Sequence, residues 1–167
     1  MNRLVLVAAV VLSACGPAAI DPSCTRSAIE PDSGGEGWKG SGLVNGAIPP
    51  GRYVISSTYI AMKPTAEAQT GFQEVWTPLE KSLATTDGLI AYQTFGSTQC
   101  ATARTIAVWR DEMAMFQFVG SPLHTAAIQK STTISRGGGA TTHWVDTEAG
   151  ATLQRSVEQL GADQPTF

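Results

Sequence analysis

Charge is what this sequence has least of. Lys and Arg number 11, Asp and Glu 14, and together they make up 15% of 167 residues, against about 25% in an average soluble protein. With 43% hydrophobic residues, so little charge excludes a disordered chain and leaves material for a core. A formal net charge of −3 excludes the basic surface on which a nucleic-acid-binding protein depends. Three cysteines are too few for a disulfide scaffold. CxxC and HxxxH spacings are absent, which argues against a metal site. A Gly-Lys-Ser/Thr phosphate loop and a Gly-x-Ser-x-Gly nucleophile turn are absent as well. The length supports one domain.

The first motif is at the N-terminus. Arg3 precedes an uncharged run over residues 4–14. That run is shorter than the ~20 residues needed to span a bilayer, but it has the length of a signal-peptide apolar region. Leu12-Ser13-Ala14-Cys15 resembles the bacterial lipobox. The resemblance implies a signal peptide over residues 1–14 and lipidation of Cys15, which becomes the first mature residue. An ordinary secretory signal is the alternative. Acyl chains would hold the protein on a membrane surface in the cell envelope, facing the periplasm or the exterior. Gly16 is not the Asp of inner-membrane retention, which points to the outer membrane in a Gram-negative cell.

Export also allows Cys24 and Cys100 to form a disulfide, although sequence cannot show that their geometry fits. Residues 15–51 are rich in Gly, Pro and Ser and read as the lipidated Cys followed by a flexible tether. Trp38, Leu43 and Val44 are candidates to pack near its end.

Residues 53–62 are β-branched and aromatic, and read as a strand. Thr65 caps a helix whose apolar face is Phe72, Val75, Trp76, Leu79 and Leu83, with Pro78 expected to kink or split it. Residues 89–95 and 103–110 read as a hairpin of strands. Asp111 caps a helix carrying a stripe of Met113, Phe116 and Val119, which Gly120 ends. Ser121-Pro122 starts a second piece running to about residue 130. Gly137-Gly138-Gly139 is a breaker before a last strand over residues 140–147. Residues 148–167 form a helical tail with Leu153, Val157 and Leu160 on one face.

The order strand, helix, strand, strand, helix, strand over residues 52–147 is the ferredoxin-like βαββαβ unit of the α+β class. It predicts an antiparallel sheet with helices on one face and an open second face, which a homodimer would cover.

Residues 103–129 combine a strand ending in Trp-Arg, an acidic cap, an aromatic helix and Ser-Pro-Leu-His-Thr-Ala-Ala. This pattern resembles the antibiotic biosynthesis monooxygenase family of dimeric α+β barrels. The resemblance implies a small apolar or aromatic ligand, cofactor-independent oxygenation of quinol-like aromatics, or haem binding. The haem-degrading branch uses a first-strand Asn, where this chain has Ser56-Ser57-Thr58. Its haem-ligand position falls near Ile128, one turn beyond His124.

Among candidate residues, His124 stands in the first turn of a helix, whose positive end favours a neutral ring. It is a candidate catalytic base or a structural histidine bonded to backbone. Trp109 and Phe116 are candidate pocket walls or plain core. Thr58 and Tyr59 could orient a polar ligand or simply serve the sheet. His143 reads as a sheet-edge residue. The expected protein is an envelope lipoprotein binding a small aromatic ligand, with oxygenase chemistry as the alternative and no cofactor required.

Overall fold

The computed structural model describes residues 20–22 and 24–161; the lipobox and Cys15 lie outside them. Five strands make one antiparallel sheet: β1 (Gly34–Gly35), β2 (Arg52–Met62), β3 (Leu89–Ser97), β4 (Thr102–Trp109) and β5 (Ser135–Thr147). The sheet order is β1-β3-β4-β2-β5. Between β2 and β3 runs α1 (Ala66–Leu83). Between β4 and β5 run α2 (Glu112–Val119) and α3 (Pro122–Ile134), and α4 (Leu153–Gly161) closes the described chain. Strands β2 to β5 thus form the expected α+β, ferredoxin-like unit.

The helix starts follow their caps. Thr65, Asp111 and Ser121 each accept a hydrogen bond from a backbone N–H three residues on, meeting a donor that the first turn leaves free. Helix α1 continues through Pro78 as one element. A mid-helix proline costs about 3 kcal/mol, and burial of Leu79 and Leu83 beyond it offsets that cost. Helix α3 reaches Ile134 and β5 begins at once, so the glycines at 137–139 lie within the strand and do not break it. Gly139 pairs with Ile60 in the ladder, and edge position makes such glycines tolerable.

Strand alternation gives the sheet two chemically different faces. On the first, Val54, Leu83, Tyr92, Trp109 and Met115 join α1 and α2 to the sheet, and Ile60, Ala68 and Ile134 do the same at the other end. On the second face, Ile55, Ile106, Val108 and Trp144 pack against Trp38 and Ile48, while Tyr59 and Ala140 pack against Leu160 of α4.

That second face is therefore not open. The supposed tether is part of the fold from Cys24 onward. Strand β1 extends the sheet beside β3. Asp32 accepts hydrogen bonds from Ser97, from Thr98 through both backbone and side chain, and from the Gln99 backbone; these hold its carboxyl down to about 2. Lys39 exchanges backbone hydrogen bonds with Tyr92 and pairs with Glu80 of α1 at 2.8 Å. Of the three candidates for packing, Trp38 does pack, whereas Val44 is 57% exposed. The expected open face, on which a face-to-face homodimer depends, is instead covered by residues from 24–51 and by α4.

Cys24 and Cys100 form a disulfide, with Cα atoms 5.3 Å apart and 76 positions between them in sequence. Closing a loop of that length stabilises the fold by about 4 kcal/mol in the chain-entropy account. A double Cys24→Ala, Cys100→Ala variant should lose stability of that order in denaturant titration. The oxidised protein should sediment as a monomer at micromolar concentration; a dimer there would contradict the closed second face.

Candidate functional site

A cavity of about 540 Å³ lies between the first face of the sheet and helices α1 to α3. Its roof is apolar. Phe72 and Trp76 of α1 stack with ring centroids 6.3 Å apart, and Met115 and Phe118 of α2 and Ile128 of α3 complete it. Ile128 thus reaches the cavity without any ligating atom. The floor is built from every second residue of the strands, including Ser56 and Thr58 of β2, Thr105 and Trp109 of β4, and Thr141 and His143 of β5. No Asp, Glu, Lys or Arg lines it among the described residues. A low-dielectric wall without countercharge selects uncharged ligands, since burying an unpaired charge is costly.

His124 is held at the cavity by α3. Ser121 accepts the His124 backbone N–H at 3.3 Å, which fixes the first turn. The imidazole packs edge-on to Phe118 at 5.4 Å, and Phe118 in turn packs against Trp109 at 5.4 Å. Burial pushes the His124 pKa below its ordinary value, with the Val119 backbone opposing the shift. Its Nδ1 is buried and has no hydrogen-bond partner among the described residues. A neutral imidazole offers a donor and an acceptor, so this ring keeps an unmet polar atom beside an apolar space.

Trp109 is both wall and core. It is 1% exposed to solvent, and its Nε1 donates to Ser56 Oγ at 2.9 Å. Ser56 on the first strand therefore positions the indole. Phe116 lies at the rim, 54% exposed, with its ring edge-on to His143 at 5.7 Å. The helical stripe of Met113, Phe116 and Val119 is not core: Met113 is 71% exposed, and Phe116 and Val119 stand partly exposed at the cavity, while Ala114 and Met115 are the buried residues of α2. An eight-residue helix laid over β2 and β4 buries only one narrow side, and that side is 114–115.

Thr58 lies on the floor as expected. Tyr59 does not: it is on the second face, its ring under the Arg104 guanidinium at 4.7 Å. Neighbouring strand residues point to opposite faces, so Thr58 and Tyr59 could not both serve one ligand. His143 is an exposed residue of edge strand β5. Trp76, Thr105 and Thr141 were not singled out by sequence reasoning. Only the register of paired strands brings the two threonines to this floor. No group of three His, Cys, Asp or Glu residues suited to a metal occurs among the described residues.

The sequence profile described as antibiotic biosynthesis monooxygenase matches residues 57–130. The matched domain spans less than half of the chain. The match runs from mid-β2 into α3 and so takes in most of the cavity wall. No curated protein matches the sequence. Among solved structures, Rv0793 from Mycobacterium tuberculosis is similar at 15% identity and a TM-score of 0.50, covering 55% of this chain and 92% of that one. A conserved protein from Methanosarcina mazei is similar at 14% identity and a TM-score of 0.49, covering 55% and 90%. SnoaB, a cofactor-independent oxygenase from Streptomyces nogalater, is similar at 17% identity and a TM-score of 0.43, covering 56% and 90%. At 15% identity the first likeness shows the fold alone.

The lowered pKa of His124 has a signed consequence for the domain. Below the ordinary value of 6.5, the unfolded ring takes up a proton that the buried ring refuses until lower pH. Stability therefore falls as pH drops through 6.5 toward the folded pKa. Melting temperatures between pH 7 and pH 5 should fall less steeply in His124→Gln than in the parent.

Proposed function

We propose that the protein is an envelope lipoprotein whose antibiotic biosynthesis monooxygenase domain binds a small uncharged aromatic molecule between sheet and helices. The observation that carries this reading is the aromatic cavity of about 540 Å³ with no Asp, Glu, Lys or Arg on its walls among the described residues. Pockets of this size suit small organic ligands when apolar walls carry a few placed polar groups. Here those groups are the His124 imidazole and the hydroxyls of the floor. Trp109 and Phe118 supply flat surfaces on which an aromatic ring packs well.

Haem fits these residues poorly. His124 offers a nitrogen, but among the described residues no Lys or Arg lines the cavity to pair with the two carboxylates that haem carries. No step through haem is therefore derived.

Cofactor-independent oxygenation of a quinol-like aromatic is the second reading, and the state of His124 favours it. A neutral imidazole on the cavity wall can accept a proton from a bound phenol or carbon acid. Trp109 would then hold the ring plane. Substrate-dependent oxygen uptake that disappears in His124→Ala, with the fold intact, would establish this chemistry.

The anchor belongs to the same reading. Leu12-Ser13-Ala14-Cys15 would place the domain on a membrane through lipid, and no helix of the described residues is long and apolar enough to cross one. Cys15→Ser should move the protein from the membrane fraction to the soluble fraction. For the cavity, Ala127→Phe fills space at the α3 wall. Calorimetric titration with an alkylbenzene should show binding to the parent and at least a tenfold loss in this variant, at an unchanged melting temperature. Equal binding by both would place the ligand elsewhere.

A further inference from the structure

The floor of the cavity carries an ordered polar feature that an aromatic-binding site does not need. In the ladder, Thr94 of β3 pairs with Thr105 of β4. Thr105 pairs with Thr58 of β2, and Thr58 pairs with Thr141 of β5. Directly paired residues share a face, so four threonines form one row across four strands. Thr58, Thr105 and Thr141 line the cavity. The row on one side is Tyr92, Ala107, Ser56 and His143, and the row on the other is Gly96, Ala103, Ile60 and Gly139. The hydroxyls thus border an apolar band on one side and a mixed row, whose Ser56 already accepts from Trp109, on the other.

The stripe is only partly satisfied by the protein. Thr141 Oγ1 donates to the Ser57 carbonyl at 3.2 Å, and the Thr58 and Thr141 hydroxyls meet at 3.4 Å. Thr94 Oγ1 is buried and does not line the cavity. No protein hydrogen bond occupies the Thr105 hydroxyl among the described residues, so Thr105 and Thr58 are the hydroxyls that a ligand can reach. A hydroxyl both donates and accepts, so a matching ligand edge can carry hydroxyl or carbonyl oxygens.

We infer that the Thr58–Thr105 pair is a specificity determinant that selects an aromatic ring carrying two oxygens in meta relation, lying with that edge on the sheet. The inference rests on the reading of this cavity as an aromatic-ligand site and deepens it. Paired side chains on one face have Cβ atoms about 5 Å apart, and two meta oxygens on one ring are separated by nearly the same distance. Both also point toward the same edge of the ring. Ortho oxygens lie too close together to serve two strands. Para oxygens point away from each other, so only one can reach the floor. With its oxygenated edge on the floor, the ring directs its far edge to the apolar, aromatic roof. A resorcinol-type ligand with an apolar substituent meets all three conditions.

The test is calorimetric titration of the purified protein with four probes that share a pentyl chain: pentylresorcinol (olivetol), pentylcatechol, pentylhydroquinone and pentylbenzene. The expected result is tightest binding of olivetol, by several-fold up to about tenfold over its isomers, the range that one or two net hydrogen bonds supply. Thr105→Val and Thr58→Val keep the β-branched shape and remove the hydroxyl. Each should abolish the preference for olivetol in a protein that still binds pentylbenzene, and Thr105→Ser should retain the preference. Equal affinity for the three oxygenated isomers, or a preference that survives both valine variants, would overturn the assignment of the row and leave the cavity reading standing. If none of the four probes binds the parent protein, the cavity reading falls and the row falls with it.

Discussion

The whole architecture turns on how the second face of the sheet is kept from water. A four-stranded ferredoxin-like sheet has two faces and its crossover helices cover only one. In this chain the N-terminal segment and α4 cover the other. The closure is built around a buried charge. Arg104 and Glu30 are each 2% exposed and stand 3.8 Å apart. Arg104 also donates to the carbonyls of Arg26 and Ala28, and Glu30 accepts from Thr102 at 3.0 Å. Removing either partner would strand a charge in the interior, so the segment and the sheet specify each other. The Cys24–Cys100 bridge clamps one end of this arrangement. At the other end of the chain, Ser156 of α4 meets Ser57 of β2 at 2.6 Å, both fully buried.

Closing the second face internally leaves the first face free to be hollow. The second face is packed: Ile55, Ile106, Val108 and Leu160 are wholly buried. On the first face the helices stand off the middle of the sheet, and α1 and α3 are drawn together beside the gap. Gly71 permits that approach, since a Cβ there would come within 2.8 Å of Ile134. Gly88, at φ +77°, turns the chain from α1 into β3 directly beneath Ala114, which seats α2 across one end of the cavity. A rigid, self-contained sheet is a suitable floor for a site, because its side chains are spaced by the ladder and not by loops.

The parts of this plan legible in the sequence are those written in local chemistry. Thr65, Asp111 and Ser121 announce their helices through capping, and β-branched runs announce β2 and β4. The aromatic α2 and the Ser-Pro-Leu-His segment carry the family pattern that the profile match at residues 57–130 bears out. What stayed hidden depends on distant residues. The segment over 24–51 has the composition of a spacer, and its glycines and prolines hide a buried Glu30 whose partner is 74 positions away. Gly137 to Gly139 have the composition of a turn, and only pairing with β2 makes them strand. Met113, Phe116 and Val119 obey a helical period, yet period alone cannot say which side of a short helix meets the sheet.

The cavity floor shows the same limit in its sharpest form. Thr58, Thr94, Thr105 and Thr141 are scattered through the sequence, and each alone is an ordinary strand residue. Register makes them a row, and a shift of one position in any strand would send that strand's threonine to the opposite face. Such a shift in β2 would exchange Thr58 for Tyr59 or Ser57 and carry Ile55 out of the second core. The packing of the second face therefore holds the polar stripe of the first in line. The buried ion pair, the disulfide and α4 thus help fix the geometry that a ligand would meet.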